Sequence, residues 1–343
     1  MTSVSSTIPF TTLGNSGLKI SKVIVGCMSF GKKSWAPWVV EDEEECLGIL
    51  KRCYDLGMRT FDTADMYSHG YSEIILGKFI KKYNIKRDRI VIMTKVFHPV
   101  DAEDPNFSVW NHNQTDYMNS KGLSRKHIFD AIKNSMERLG TYIDVYQIHR
   151  LDHSTPPEEI MKALNDCIEQ GYTRYIGASS MKTYEFQALQ NIAEKNNWFK
   201  FISMQNLYNL LYREEEREMI PYCNKFNVGV IPWSPNARGL LARPLKTEKS
   251  QEQLQKLSNL LGLVPFGKND EDIINRVEEL SRKKNCSMAQ IALAWLISKN
   301  TCPIVGMGSI ERIEDTAKAF NLELTDEEIS YLEELYSPKF AHI

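Results

Sequence analysis

The chain has 343 residues, of which 42% are hydrophobic and 25% charged, so it is long and apolar enough to bury a substantial core. A net charge of −2 and a pI near 6.4, with no run of basic residues, argue against nucleic acid or an anionic membrane surface as partners. Mean hydropathy is −0.37, and no apolar run approaches the ~18 residues of a spanning helix.

The first six residues, Met1-Thr2-Ser3-Val4-Ser5-Ser6, have neither a basic start nor an apolar stretch and do not read as a secretory signal. Residues 1–9 are expected to be a flexible tail ahead of one domain spanning 10–340. Two short strand-like runs around Gly14-Asn15-Ser16-Gly17 then predict a β-hairpin. From there the pattern changes. Strand-like runs at 23–27, 59–61, 90–94, 143–148, 175–177, 201–204, 228–231 and 303–305 alternate with amphipathic stretches at 43–56, 124–139, 156–170, 183–195 and 214–226. The acidic run 41–45 reads as a helix start. Further helices are expected at 271–284, 287–298 and 325–335, the last opened by a Thr325/Glu328 capping box. Eight strands alternating with helices predict an α/β fold, a single (β/α)8 TIM barrel. A doubly wound open sheet is the other candidate, but Gly26-Cys27-Met28-Ser29-Phe30-Gly31 follows the first strand in place of G-x-G-x-x-G.

Two connections, 97–122 and 236–270, exceed simple turns and are expected to lie over the C-terminal mouth. Within the second, 245–256 reads as a disordered surface insertion. Seven scattered cysteines lack a C-x-x-C pair or a metal-ligand spacing. Free buried thiols in a reducing, cytoplasmic setting are therefore expected, with no metal site. The sequons at Asn106 and Asn113 read as chance matches.

The strand ends carry the chemistry. Asp62 closes the second run, with Tyr67 five residues on; Lys95 closes the third and His149 the fourth. Parallel barrel strands open on one face, so these four converge. A lone buried charge is costly, and an Asp, a Lys and a His on consecutive strand ends form a set too pointed for packing alone. A lysine ammonium beside a phenol lowers its pKa from near 10, which suits Tyr67 to protonate an alkoxide as it forms. Trp35 and Trp38 are candidates to cap a substrate pocket, and Phe97, Trp110 and Tyr117 for an apolar substrate wall. Trp295 reads as core, and His69 and His153 lie near the set in sequence only.

From about Thr12 to Leu335 the chain resembles the aldo-keto reductase family. The resemblance is carried by Phe61-Asp62-Thr63-Ala64-Asp65-Met66-Tyr67, Ser72-Glu73-x₃-Gly77, Met93-Thr94-Lys95 and Ile143-Asp144-Val145-Tyr146-Gln147-Ile148-His149. Arg174-Tyr175-Ile176-Gly177-Ala178-Ser179-Ser180, Met204-Gln205-Asn206-x-Tyr208-Asn209 and Pro232-Trp233-Ser234-Pro235 continue it. Gly26-Cys27-Met28-Ser29 and Trp233-Ser234-Pro235-Asn236-Ala237-Arg238-Gly239 are most similar to the fungal branch of aryl-alcohol dehydrogenases and versiconal hemiacetal acetate reductase.

The resemblance implies carbonyl reduction of a small molecule by hydride from NADPH, with NADH as the other candidate. It implies a catalytic tetrad of Asp62, Tyr67, Lys95 and His149. Cofactor contacts are implied at Cys27, Met28 and Asp62, at Ser179, Ser180 and Gln205 for the carboxamide, and at Trp233 for the ring. Ser234, Pro235, Asn236, Ala237 and Arg238 would line the pyrophosphate, and Gly306, Gly308, Arg312, Asp315 and Thr316 the adenosine phosphate. Ser180 stands where the family commonly has Asn, and Asp315-Thr316 replaces Glu-Asn. Two other functions stay open: a cofactor-binding regulatory subunit resembling potassium-channel β subunits, and a Schiff-base aldolase using Lys95. A monomer is the default expectation, a dimer the alternative.

Overall fold

In the computed structural model, residues 8–104, 107–108, 115–252 and 266–341 are described. Strands β1 (Phe10–Thr12) and β2 (Lys19–Ser21) pair antiparallel as the expected hairpin. Ile8 and Pro9, grouped above with the tail, instead pack: Ile8 is buried, and Pro9 O accepts from Lys22 N–H at 2.8 Å.

Eight parallel strands follow: β3 (Ile24–Gly26), β4 (Thr60–Asp62), β5 (Val91–Val96), β6 (Ile143–Ile148), β7 (Thr173–Ser179), β8 (Phe201–Gln205), β9 (Gly229–Val230) and β10 (Ile304–Gly306). Their order is β10-β3-β4-β5-β6-β7-β8-β9. The ends of this row meet. Cys302 N–H donates to Val230 O at 3.0 Å and Ile304 N–H to Pro232 O at 2.9 Å, so backbone bonds close the sheet on itself. An open sheet would leave this edge unpaired, and the doubly wound alternative is thereby corrected.

Successive strand residues face opposite sides, so Met93 and Lys95, Val145 and Gln147, and Ser203 and Gln205 point inward. The lower interior is apolar, built from Ile24, Val91, Met93, Val145, Ile231 and Ile304, and the hairpin adds Leu13 and Ile20 as a floor. Gly14 sits at the hairpin tip with φ +55°; a Cβ there would lie 2.4 Å from Ile202 O, so the tip requires glycine. Inside the barrel, a Cβ on Gly177 would meet Ser203 Oγ at 2.5 Å and Gln147 Cγ at 3.1 Å. Its bare backbone leaves room for the polar layer above.

Outer helices lie at α1 (Glu43–Asp55), α2 (Tyr71–Lys82), α3 (Arg125–Leu139), α4 (Pro157–Glu169), α5 (Thr183–Lys195) and α6 (Met219–Phe226). The C-terminal part adds α7 (Lys268–Lys283), α8 (Met288–Ser298), α9 (Ile310–Lys318) and α10 (Asp326–Glu333). Asp42 caps α1 ahead of three acidic residues, and Thr325 with Glu328 forms the expected capping box on α10. Trp295 is fully buried against Tyr208, with Nε1 donating to Glu333 at 2.7 Å. Ser250 is buried and donates to Pro244 O at 3.1 Å, so the chain up to residue 252 is packed rather than a loose insertion. The rest of the 245–256 stretch lies outside the described residues, as do Trp110 and both sequon asparagines. All seven cysteines are unpaired and six are buried. Among the described residues no helix is long and apolar enough to cross a membrane, and no acidic, His or Cys group is arranged to hold a metal ion.

Candidate active site

The C-terminal strand ends bring Asp62, Lys95, Tyr67 and His149 together. Lys95 lies inside the barrel at 0% exposure, where an ammonium needs full compensation. Its Nζ donates to Asp62 Oδ2 at 2.5 Å, Thr63 O at 2.8 Å and Tyr67 OH at 3.3 Å, which uses all three protons. The second Asp62 oxygen accepts from Gln147 Nε2 at 2.9 Å and Gln205 Nε2 at 3.1 Å. Gln205 also donates to Gln147 Oε1 at 3.0 Å, closing a polar ring of Asp62, Gln147 and Gln205 across three strands. The His149 ring stands edge-on to Tyr67, centroids 5.9 Å apart, with its Nδ1 buried and without a hydrogen-bond partner among the described residues.

These surroundings fix the charges. Burial raises the Tyr67 pKa, and the opposing pull of Lys95 is smaller, so the phenol lies above its ordinary value. The expectation that Lys95 would lower it is corrected: a fully enclosed phenolate loses more solvation than one ammonium, already neutralised by Asp62, restores. Burial also works against the Lys95 ammonium, but Asp62 and Tyr67 outweigh it and hold its pKa up. Burial foremost, then Lys95, His98 and Arg150, depresses His149, and burial brings His98 to about 4. The site therefore offers a neutral phenol and two neutral imidazoles beside an ion pair.

Around the phenol, Trp35 packs on Tyr67 at 6.1 Å and on Trp38 at 5.7 Å. His98 lies 5.4 Å from His149 and 5.1 Å from Phe97. Tyr117, a candidate wall residue, instead donates to Asp101 at 2.6 Å and packs on Phe107, which covers His69 at 5.0 Å. His153 faces Glu185 at 2.9 Å, away from the set. Sequence reading assigned no role to Gln147, His98 or Arg150. Gln147 was within reach of it, since it lies two residues before His149 and so on the same inward face. The other two depend on neighbours brought in by the fold.

A second surface continues along β7, β8 and the segment after β9. Ser179 Oγ donates to Gln205 O at 2.8 Å, and Trp233 Nε1 to Ser180 Oγ at 3.3 Å. Asn206 Oδ1 accepts from Ser180 N–H at 3.1 Å, while its amide donates to Glu215, whose pKa burial lifts to about 7. Beyond Trp233, Ser234, Ala237 and Arg238 have left-handed φ of 53°, 46° and 56°. Such backbone turns its N–H groups into an anion-holding concavity. Pro235 and Ala237 are buried, Asn236 Oδ1 is buried without a partner among the described residues, and Arg238 is exposed.

Across the seam, Gly306 ends β10, Gly308 follows, and Ser309 caps α9, where Arg312 is exposed with no carboxylate paired to it among the described residues. Asp315 is turned to α8, accepting from Ser287 and Gln290 at 2.6 Å each, and Thr316 is buried. Cys27 is fully buried and Met28 is 41% exposed at the end of β3. A flat indole, a left-handed N–H cradle, an orphaned amide oxygen and two exposed guanidiniums fit a dinucleotide carrying several phosphates.

The sequence profile of the Aldo/keto reductase family matches residues 22–337. The chain belongs to the aldo/keto reductase family. It is 54% identical to versiconal hemiacetal acetate reductase of Aspergillus parasiticus, covering 97% of this chain and 98% of that protein. It is 52% identical to a Saccharomyces cerevisiae protein carrying an aryl-alcohol dehydrogenase name, over 95% of this chain and 96% of the relative. A Schizosaccharomyces pombe protein with an aryl-alcohol dehydrogenase name is 54% identical, over 95% of each chain. These relatives bear out the resemblance to the aryl-alcohol dehydrogenase branch, and the aldo/keto reductase assignment makes this chain an oxidoreductase that reduces carbonyl compounds.

Proposed function

We propose that this aldo/keto reductase uses NADPH to reduce bulky or aromatic aldehydes and ketones, with Tyr67 as the proton donor and Asp62, Lys95 and His149 completing the site. The observation that carries the reading is the chain of bonds from Asp62 through Lys95 to the Tyr67 hydroxyl. NADPH, when bound, supplies the hydride that no side chain provides. The phenol keeps its proton at neutral pH because burial raises its pKa. Lys95 stands ready to stabilise the phenolate left after that proton moves to the substrate oxygen. Asp62 holds Lys95 charged, and Gln147 and Gln205 hold Asp62. Neutral His149 orients the carbonyl by a hydrogen bond, and its depressed pKa keeps it from competing as the acid.

Ser179, Ser180, Gln205 and Trp233 are assigned to the nicotinamide end, with Cys27 and Met28 flanking it; residues Ser234, Pro235, Asn236, Ala237 and Arg238 are assigned to the pyrophosphate. Gly306, Gly308 and Arg312, backed by Asp315 and Thr316, are assigned to the adenosine end. An unpaired Arg312 supports NADPH over NADH, since guanidinium suits a 2′-phosphate. The unpaired thiols support a cytoplasmic setting. Tyr67→Phe should lose about 10²- to 10⁴-fold in kcat with NADPH still bound. Turnover of an aromatic aldehyde, followed by absorbance, checks this, and undiminished activity sinks the assignment.

A further inference from the structure

Arg150 directly follows His149 at the end of β6 and is partly buried. Of the half-buried arginines, Arg87, Arg138, Arg213 and Arg276 each grip a carboxylate, at 2.6, 2.7, 2.6 and 2.5 Å. Arg150, like Arg59 and Arg243, does not among the described residues, and of these three it alone adjoins His149 at the mouth of the barrel. Among the described residues its one side-chain hydrogen bond runs from Nη1 to His149 O at 2.7 Å, and no carboxylate pairs with it. A guanidinium stays charged and has five donors, so most of this one's remain available to a ligand at the mouth.

Arg150 follows His149 directly in the chain and lies within electrostatic reach of Tyr67, His98 and His149, whose rings stand 5.9 and 5.4 Å apart around the reacting position. All three are neutral and none compensates it. The phosphate-shaped cradle at 234–238 and 306–312 belongs to β9 and β10, whereas β6 stands on the opposite arc of the barrel. The anion that Arg150 lacks is therefore not a cofactor phosphate.

We propose that Arg150 is a specificity-determining residue that pairs with an oxyanion, a carboxylate or ionised phenol, carried by the substrate in addition to its reacting carbonyl. The inference rests on the carbonyl-reductase reading and narrows its substrate class. Aromatic carbonyl compounds with an acidic substituent satisfy both the rings of Trp35, Tyr67 and His98 and the unpaired guanidinium.

The test compares the 2-, 3- and 4-carboxybenzaldehydes with their methyl esters, using NADPH and the wild-type, Arg150→Lys and Arg150→Met enzymes. The wild type should prefer at least one acid over its ester. Arg150→Met should reduce that preference about tenfold or more, mainly through KM, as expected when a charge-assisted pair is lost. Arg150→Lys should restore part of it, which a merely structural role would not. An acid-to-ester ratio equal in the wild type and Arg150→Met overturns the proposal. Should Arg150→Met not fold, inhibition of the wild type by benzoate against benzamide decides: stronger inhibition by benzoate supports the pairing, and equal inhibition overturns it. Failure of the reductase reading looks different. No aldehyde or ester is then reduced, while benzoate still displaces a fluorescent aromatic acid from the cofactor-loaded protein if Arg150 binds anions.

Discussion

Asp65 shows how strongly position governs a side chain here. It is 1% exposed, and neither carboxylate oxygen has a hydrogen-bond partner among the described residues. Burial first, and then the neighbouring Glu73, raises its pKa well above the ordinary carboxylate value. A carboxyl raised in the folded state binds its proton more tightly there than in the unfolded chain. Its contribution is thus fully present below the unfolded value of about 4 and is lost as pH climbs through the folded value. Asp65→Asn removes this term, so the variant should gain stability relative to the wild type between pH 5 and pH 8. Urea midpoints at the two pH values check this; a difference that stays constant or reverses shows that Asp65 is paired. Glu73, eight residues on in the sequence and also buried, instead has its two oxygens taken by Thr94 and Arg138 at 2.5 and 2.7 Å.

At the scale of elements, the strands were legible because short apolar runs closed by a polar residue mark both their length and their open end. The run at 143–148 coincides with β6, and 183–195 with α5. Helix α2 was not singled out. It starts after Gly70 at φ +86° with no side-chain cap, and it buries Ser72 and Glu73, which interrupt its apolar stripe. The convergence of Asp62, Tyr67, Lys95 and His149 was legible since each ends a strand or follows one closely. Gln147 was hidden among apolar neighbours, and Arg150 and His98 gain meaning only from the rings the barrel sets around them. The hairpin was legible as two paired strands but not as the barrel floor. Ile20, fully buried there, should cost about 2–5 kcal/mol as Ile20→Ala in urea unfolding, with turnover unchanged. A loss of activity at unchanged stability contradicts this separation of floor from mouth.

For the whole molecule, the order β10-β3 joins the two ends of the chain's barrel, so closure requires residues 280 apart in sequence, Ile24 and Ile304, to pair. Local βα units form without this step; the complete ring does not. The seam beside it, between β9 and β10, rests on the two backbone bonds of Cys302 and Ile304. Both loops assigned to the dinucleotide, 234–238 and 306–312, spring from its two sides. A dinucleotide held there as proposed would act as a stitch: it would tie the two sides of this join, and its binding energy would be drawn on whenever that join parts. The amides of Cys302 and Ile304 should accordingly exchange with solvent more slowly when NADPH is present, while those of β6 change little. Equal slowing in both strands would mean that the ring opens only as a unit, with no weakest stave.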